Sequence, residues 1–98
     1  MRQQAVTLLE KISGDWSIAG IGHQVDRLRV FQIGNVPPGS LVRIDCSSIE
    51  EIDSCGFQLL SAWCHFIREK GLKGKLINMP YEMRKMQVQL GLDVDHII

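Results

Sequence analysis

The amino-acid sequence predicts a single α/β domain, built on a mixed β-sheet of about four to five strands with helices packed mainly on one face. Short apolar runs typical of strands alternate with amphipathic stretches typical of helices, and this order favours an α/β architecture. The 98 residues, 45% of them hydrophobic, suffice for one modest core. Because no repeat, low-complexity tract or linker interrupts the chain, we expect residues 1–98 to form one unit.

Two short stretches open the chain. Residues 7–12 and 15–21 are separated by Ser13 and Gly14, a pair typical of turns, so they predict a β-hairpin. Side chains alternate between the two faces of a strand. The second strand of the hairpin would therefore carry Trp16, Ile18 and Gly20 on one face.

A short helix and a central strand are expected next. Apolar residues recur at steps of about three after Gly22 and predict a helix ending near Gly34 and Asn35; they are Val25, Leu28, Phe31 and Ile33. The run Pro37-Pro38-Gly39 then predicts a loop. Residues 41–46 form an apolar run with one charge, Arg43, which is typical of a central strand.

The most regular pattern in the chain predicts a second helix. Its apolar residues follow the spacing of one helical face, and Gly71 stands where a C-terminal cap belongs; they are Phe57, Leu60, Trp63, Cys64 and Ile67. We expect this helix to pack its apolar face against the sheet.

The last third of the chain predicts one more strand and one more helix. Residues 75–78 read as a short strand, and Pro80 suits the first position of a helix. That helix is expected to end near Gly91, and its apolar residues are Met83, Met86, Val88, Leu90 and Leu92. Residues 93–98 can supply an edge strand or a docking segment.

Charge and hydropathy argue against several classes of function. Eleven basic and eleven acidic residues balance, so no charge excess would attract nucleic acid or anionic lipid. No apolar run approaches the roughly 20 residues of a membrane span, and the first ten residues lack the features of a secretion signal. We therefore expect a cytoplasmic protein that does not insert into a membrane.

Reactive residues also lack the spacing of known catalytic or metal sites. The three cysteines, Cys46, Cys55 and Cys64, are an odd number and too widely spaced for a Cys-x-x-Cys motif, which fits a reducing compartment. The sequence contains no Gly-rich phosphate loop and no recognisable catalytic triad. We expect no metal, no cofactor and no enzymatic activity.

The segment before the strongest helix carries the most information about function. Asp53 and Ser54 stand at the predicted helix start, where the first backbone amides lack partners and the helix dipole is positive. Either residue can serve as the cap, and this is the ordinary interpretation. A phosphate on Ser54 would occupy the kind of anion site that a helix N-terminus provides, and it would add close to two negative charges.

The order of several motifs resembles the STAS domain family, named for sulfate transporters and anti-sigma factor antagonists. Residues 42–47 are similar to the family's strand ending in Asp-x-Ser, and residues 52–60 are similar to its Asp-Ser-Ser/Thr-Gly-Leu turn and helix. Residues 71–76 and 90–92 resemble the next strand and the closing Leu-x-Gly-Leu. The resemblance covers about residues 5–95 and implies a STAS-like sheet and helices.

The resemblance also implies a site. In the family's bacterial antagonists, a partner kinase that is also the anti-sigma factor phosphorylates the serine after the aspartate, and the phosphate abolishes binding. Carried over, Ser54 is the phosphorylated residue of a signalling phosphoprotein. The implied partner-binding surface comprises Asp53, Ser54, Cys55, Gly56, Phe57 and Ser61, and His23 is a further candidate for contact with a partner or the phosphate. Phe57 is equally compatible with an ordinary core position.

Two functions without catalysis stay open. The first is an anti-sigma factor antagonist-like partner switch controlled by Ser54. The second is a constitutive STAS subunit that binds the ATPase of a lipid-transport ABC complex, or a chemotaxis-associated STAS protein. The retained serine favours the first function. The second is favoured because the antagonists' Gly-Glu-Leu-Asp motif is replaced here by Gly20-Ile21-Gly22-His23, without acidic residues at Ile21 and His23.

Overall fold

Strands and helices alternate along the whole of the described chain. The computed structural model describes residues 4–30 and 36–90. The elements, in chain order, are β1 (Thr7–Trp16), α1 (Ile21–Val30), β2 (Leu41–Ile52), α2 (Ser54–Glu69), β3 (Lys73–Ile77) and α3 (Tyr81–Leu90). The predicted α/β class is therefore confirmed.

The three strands of the described residues form one parallel sheet in the order β1-β2-β3. Each crossover moves one strand further in the same direction, and the strong right-handed preference of such crossovers places α1 and α2 on one face. The two helices contact each other, as that arrangement requires. Over residues 4–30 and 36–90, the sheet thus has three parallel strands instead of the expected four to five mixed strands.

The predicted hairpin at residues 7–21 is wrong, because β1 is one strand that continues to Trp16. Ser13 and Gly14 form an irregularity within the strand, and they still pair with β2 at Ser48 and Ile49. Gly14 has a φ of 91°, which glycine adopts without strain in a bulge as readily as in a turn. Pairing with β2 therefore decides the path of the chain here.

The end of β1 also differs from the expected common face of three residues. Trp16 is buried in the core, and its indole Nε1 donates to the carbonyl of Ser13 at 3.0 Å. Gly20 is buried as well, but the Ile18 side chain is 67% exposed. The strand has ended before Ile18, so strand alternation no longer governs where that residue points.

The first helix and the following loop agree with the sequence where they are described. α1 begins at Ile21, slightly before the predicted start. The predicted end of this helix, with Phe31, Ile33 and Gly34, lies outside the described residues. The loop at Pro37 to Gly39 is confirmed, and Gly39 adopts a φ of 83° in it.

The central strand is twice as long as predicted. β2 extends from Leu41 to Ile52, whereas the apolar run ends at Cys46. Its second half pairs with the end of β1, opposite Ser13 to Trp16. None of the residues in that half is buried and several are polar, so the sequence lacks the apolar run by which a strand is recognised.

The strongest sequence pattern is confirmed as α2. The five predicted apolar residues are all buried and form the centre of the core with β1 and β2. Gly71 has a φ of 84°, and its N–H donates to the carbonyl of Arg68 at 3.0 Å, which ends the helix as a left-handed cap does.

The last strand and helix are also confirmed, with shifted bounds. β3 begins at Lys73 rather than at residue 75, and α3 buries Met83 against the core. Residues 93–98, predicted as an edge strand or docking segment, lie outside the described residues. In the ranges 4–30 and 36–90, no helix combines the length and apolar character that crossing a bilayer requires.

Candidate functional site

The start of α2 is held by the carboxylate of Asp53. Asp53 is the N-cap, with extended backbone (φ −123°, ψ −173°), and its Oδ1 accepts from the N–H of Gly56 at 3.1 Å. Its Oδ2 accepts from the N–H of Ile18 at 2.8 Å. One side chain therefore caps the helix and fixes the turn that follows β1.

Gly56 brings the same two segments into close contact. A Cβ at this position would lie 1.7 Å from the carbonyl oxygen of Trp16 and 2.9 Å from the Trp16 Cβ. Only glycine lets the helix start approach the end of β1 so closely. The partner in this close approach is the backbone of Trp16.

The turn between β1 and α1 has its own internal support. The N–H of Ser17 donates to Asp15 Oδ1 at 2.8 Å, and the N–H of Gly20 donates to the carbonyl of Ser17 at 3.0 Å. Gln24 is buried, and its Nε2 donates to the carbonyls of Ser13 and Asp15 at 3.2 and 3.1 Å. These bonds fix the turn before any partner binds.

Two carboxylates lie near each other at this site. The hydroxyl and then the N–H of Ser17 hold the pKa of Asp15 below its usual value, while the charge of Asp53 acts in the opposite direction. The N–H of Ile18 and then that of Gly56 lower the pKa of Asp53. Both carboxylates are therefore ionised near neutral pH, and hydrogen bonds offset their mutual repulsion.

The structure separates the residues of the predicted site into accessible and buried ones. Ser54 is exposed as the first residue of α2, and Asp53 and Cys55 are half-buried beside it. Phe57 is fully buried in the core, which corrects its expected place on a partner-binding surface. Gly56 is buried too, so its part is to permit the close packing.

The remaining two predicted residues lie further along α2 and in α1. Ser61 is half-buried and lies seven residues after Ser54, which places both on the same side of α2, about 10 Å apart along the axis. His23 is exposed in the first turn of α1, where its N–H donates to the carbonyl of Gly20 at 3.2 Å.

Sequence reasoning missed two residues, Asp15 and Ile18. The hairpin interpretation placed both within a second strand, away from the helix start. Ile18 supplies the exposed apolar side chain that Phe57 does not. We define the helix-start surface as Ile18, Asp53, Ser54 and Cys55, and Asp15 lies near enough to Asp53 for their charges to interact.

Among the described residues, no three His, Cys, Asp or Glu side chains lie close enough together to hold a metal ion. Comparison of the chain with protein-family models, with curated proteins and with solved structures finds no match.

Proposed function

We propose that this chain is a non-enzymatic docking module of the STAS type, whose helix-start surface binds a protein partner and is switched by phosphorylation of Ser54. Its partner in that role is an anti-sigma factor or similar serine kinase. The observation that carries the proposal is the bond from the N–H of Ile18 to Asp53 Oδ2, 2.8 Å long. It joins the backbone of Ile18, whose side chain is exposed, to the residue directly before the exposed Ser54.

The surface is preorganised for docking. Asp53, Gly56 and the turn bonds hold the backbone, so binding requires little further ordering of the chain. Ile18, 67% exposed, offers apolar area that a partner can bury. An apolar residue surrounded by fixed polar groups is typical of the centre of a protein interface.

A phosphate on Ser54 would change this surface mainly through charge. The partner transfers the γ-phosphoryl group of ATP to the Ser54 Oγ; the bond to ADP breaks, the new O–P bond forms, and the hydroxyl proton passes to a base of the kinase. The product carries about −1.5 to −2 charges beside the ionised Asp53. The added charge and its hydration oppose burial of Ile18 against an apolar partner.

The test combines phosphorylation with site-specific cross-linking. The full chain, with a photo-cross-linking amino acid at Ile18, is incubated with ATP and a lysate of its own cells, and phosphate is located by fragment mass spectrometry. Leu9, 65% exposed on β1, is the matched position for a control cross-linker. Ser54→Ala tests the phosphorylated residue, and Ser61→Ala is its control on the same side of α2.

We expect phosphate on Ser54. We also expect the cross-linker at Ile18 to capture one protein, and the Ser54→Glu substitution to reduce the yield of that cross-link. A cross-link at Ile18 that neither phosphate nor Ser54→Glu changes would instead identify a constitutive subunit, such as one bound to a transporter ATPase. Equal cross-linking from Ile18 and Leu9 would contradict docking at the helix-start surface.

A further inference from the structure

The central strand continues well beyond one of its neighbours. β3 ends at Ile77, which pairs with Asp45, whereas β2 continues to Ile52. From Ser47 onwards, β2 pairs only with β1 among the described residues. The backbone of this half-strand is therefore an edge on the β3 side, with hydrogen-bonding groups available to another strand.

The chain turns away from this edge immediately after β3. Asn78 adopts a φ of 54°, and its Nδ2 donates to Asp45 Oδ1 at 3.2 Å, which holds the turn against β2. Pro80 follows, and proline has no N–H with which to continue a ladder. α3 then begins at Tyr81. The exposed edge is thus bounded by a left-handed turn and a helix.

A groove of about 330 Å³ lies along this edge, lined by Ile49, Glu50, Glu51, Ile52, Pro80 and Glu82. Four of these residues are consecutive in β2. Pro80 and Glu82, which follow β3 in the chain, line the groove together with these four residues, so the groove lies on the β3 side of β2. We name it the β2-edge groove. Its volume is near the lower end for ligand sites, which suits a short peptide.

The groove has an apolar floor and an acidic rim. Ile49, Ile52 and Pro80 are half-buried, whereas Glu50, Glu51 and Glu82 are exposed. None of the described residues that line it carries a basic side chain. Three carboxylates beside half-buried apolar side chains attract a ligand that carries both basic and apolar side chains.

We propose that the β2-edge groove binds an extended, lysine- or arginine-containing peptide segment of a partner protein, which adds to the sheet as a strand beside the second half of β2. Main-chain hydrogen bonds to β2 supply affinity, and the pairing of basic side chains with the acidic rim supplies specificity. This binding site goes beyond the helix-start surface and uses none of its four residues.

The charges also rank other occupants. The C-terminal segment of this chain carries Asp93 and Asp95 and no lysine or arginine after Lys85, so the acidic rim disfavours it. Nucleic acid is disfavoured for the same reason, because its phosphates would face three glutamates. A basic peptide is the occupant that the rim favours.

The probe is a short capped peptide of alternating lysine and valine, titrated into the ¹⁵N-labelled full chain and followed by amide chemical shifts. We expect the shifts to centre on the second half of β2, and its groove-side amides to exchange more slowly with solvent. Replacing lysine by glutamate in the peptide should abolish binding. Methylating two backbone nitrogens on the pairing edge should weaken it about tenfold or more, since each removes a hydrogen bond.

Two protein variants test the acidic rim. Glu51→Lys should weaken binding about five-fold or more, because an attraction becomes a repulsion. Glu69→Lys makes the same charge change at an exposed position of α2 and should leave binding unchanged. Ile18→Ala should also leave it unchanged, which separates this site from the helix-start surface.

Each contrary result overturns the proposal. If the N-methylated peptide binds as tightly as the unmethylated one, the peptide is held by charge and does not add to the sheet as a strand. If the glutamate peptide binds as tightly as the lysine peptide, or if the chemical-shift changes centre on other residues, the β2-edge groove is not a binding site for basic peptides. Groove-side amides of β2 that are already protected in the protein alone mean that another part of this chain fills the edge.

Discussion

Replacing Gly56 with alanine is the most direct test of how the helix start and β1 fit together. The added Cβ would lie 1.7 Å from the carbonyl oxygen of Trp16, and real Cβ atoms essentially never come closer than 3.0 Å to such a neighbour. The start of α2 must therefore retreat by about 1.3 Å from the end of β1. The variant keeps the backbone N–H of residue 56, which donates a hydrogen bond to Asp53, so the substitution does not remove the cap itself.

The sign of the effect follows from two opposing contributions. Alanine favours helix over glycine by roughly 1 kcal/mol, so without a clash the substitution would stabilise the protein. Overpacking costs about 1–3 kcal/mol and occasionally more, and a backbone carbonyl cannot rotate aside as a side chain can. The two contributions leave a net loss of up to about 2 kcal/mol. Because the obstacle is backbone, we expect the upper end of that range, equivalent to a melting temperature lower by about 10 °C.

Gly22→Ala is the matched control. Gly22 is near the start of α1, as Gly56 is near the start of α2, but a Cβ there would meet nothing within 4 Å. This control should raise the free energy of unfolding by up to about 1 kcal/mol. Urea unfolding of both variants measures the difference. If Gly56→Ala were as stable as Gly22→Ala, the close approach to Trp16 would be refuted.

Three further outcomes are expected. Hydrogen bonds lower the pKa of Asp53 from its ordinary 3.8, so the stabilisation that it provides is present above that pH and is lost as pH falls through the folded pKa. The urea concentration at the unfolding midpoint should therefore decrease as the pH is lowered below about 4, and it should decrease less steeply in Asp53→Asn. Burial raises the pKa of Cys46 to about 12, so at pH 8 a thiol reagent should label Cys55 in the folded protein and Cys46 only in urea. Rapid labelling of the folded Cys55→Ser variant would contradict this expectation. Gly71 has a φ of 84° and open space around it, so Gly71→Ala should destabilise by about 1 kcal/mol through the backbone alone, and Gly71→Asn by less.

The parts of the fold that the sequence predicts are those determined by local patterns. α2 was predictable in full because its apolar spacing, its cap residue and its terminal glycine all lie within one segment. The path of β1 was not, because Ser13 and Gly14 suit a turn and a bulge equally well. Contact with β2, more than 30 residues away, decides between them. The same long-range pairing extends β2 into a polar stretch that looks like a loop in isolation.

The candidate site shows the same division. Local sequence indicates that Asp53 or Ser54 caps the helix; in the structure Asp53 is the cap and Ser54 is the exposed first residue of α2. Burial of Phe57 does not follow from local sequence, because it depends on which way α2 faces the sheet. Exposure of Ile18 does not follow either, because it depends on β1 ending at Trp16. Ile18 is brought to Asp53 by a hydrogen bond across 35 residues, which no local pattern encodes.

The two proposed binding surfaces are connected through the shortest possible stretch of chain. β2 ends at Ile52, which lines the β2-edge groove, and Asp53 and Ser54 of the helix-start surface follow directly. Two residues of chain span at most about 7 Å, which is within the screening length of about 8 Å at physiological salt. A phosphate on Ser54 would therefore act on both surfaces with opposite sign. Its negative charge opposes burial of Ile18 by a partner, and it strengthens the attraction of the acidic groove for a basic peptide. One modification would then exchange one partner for another without any change in fold.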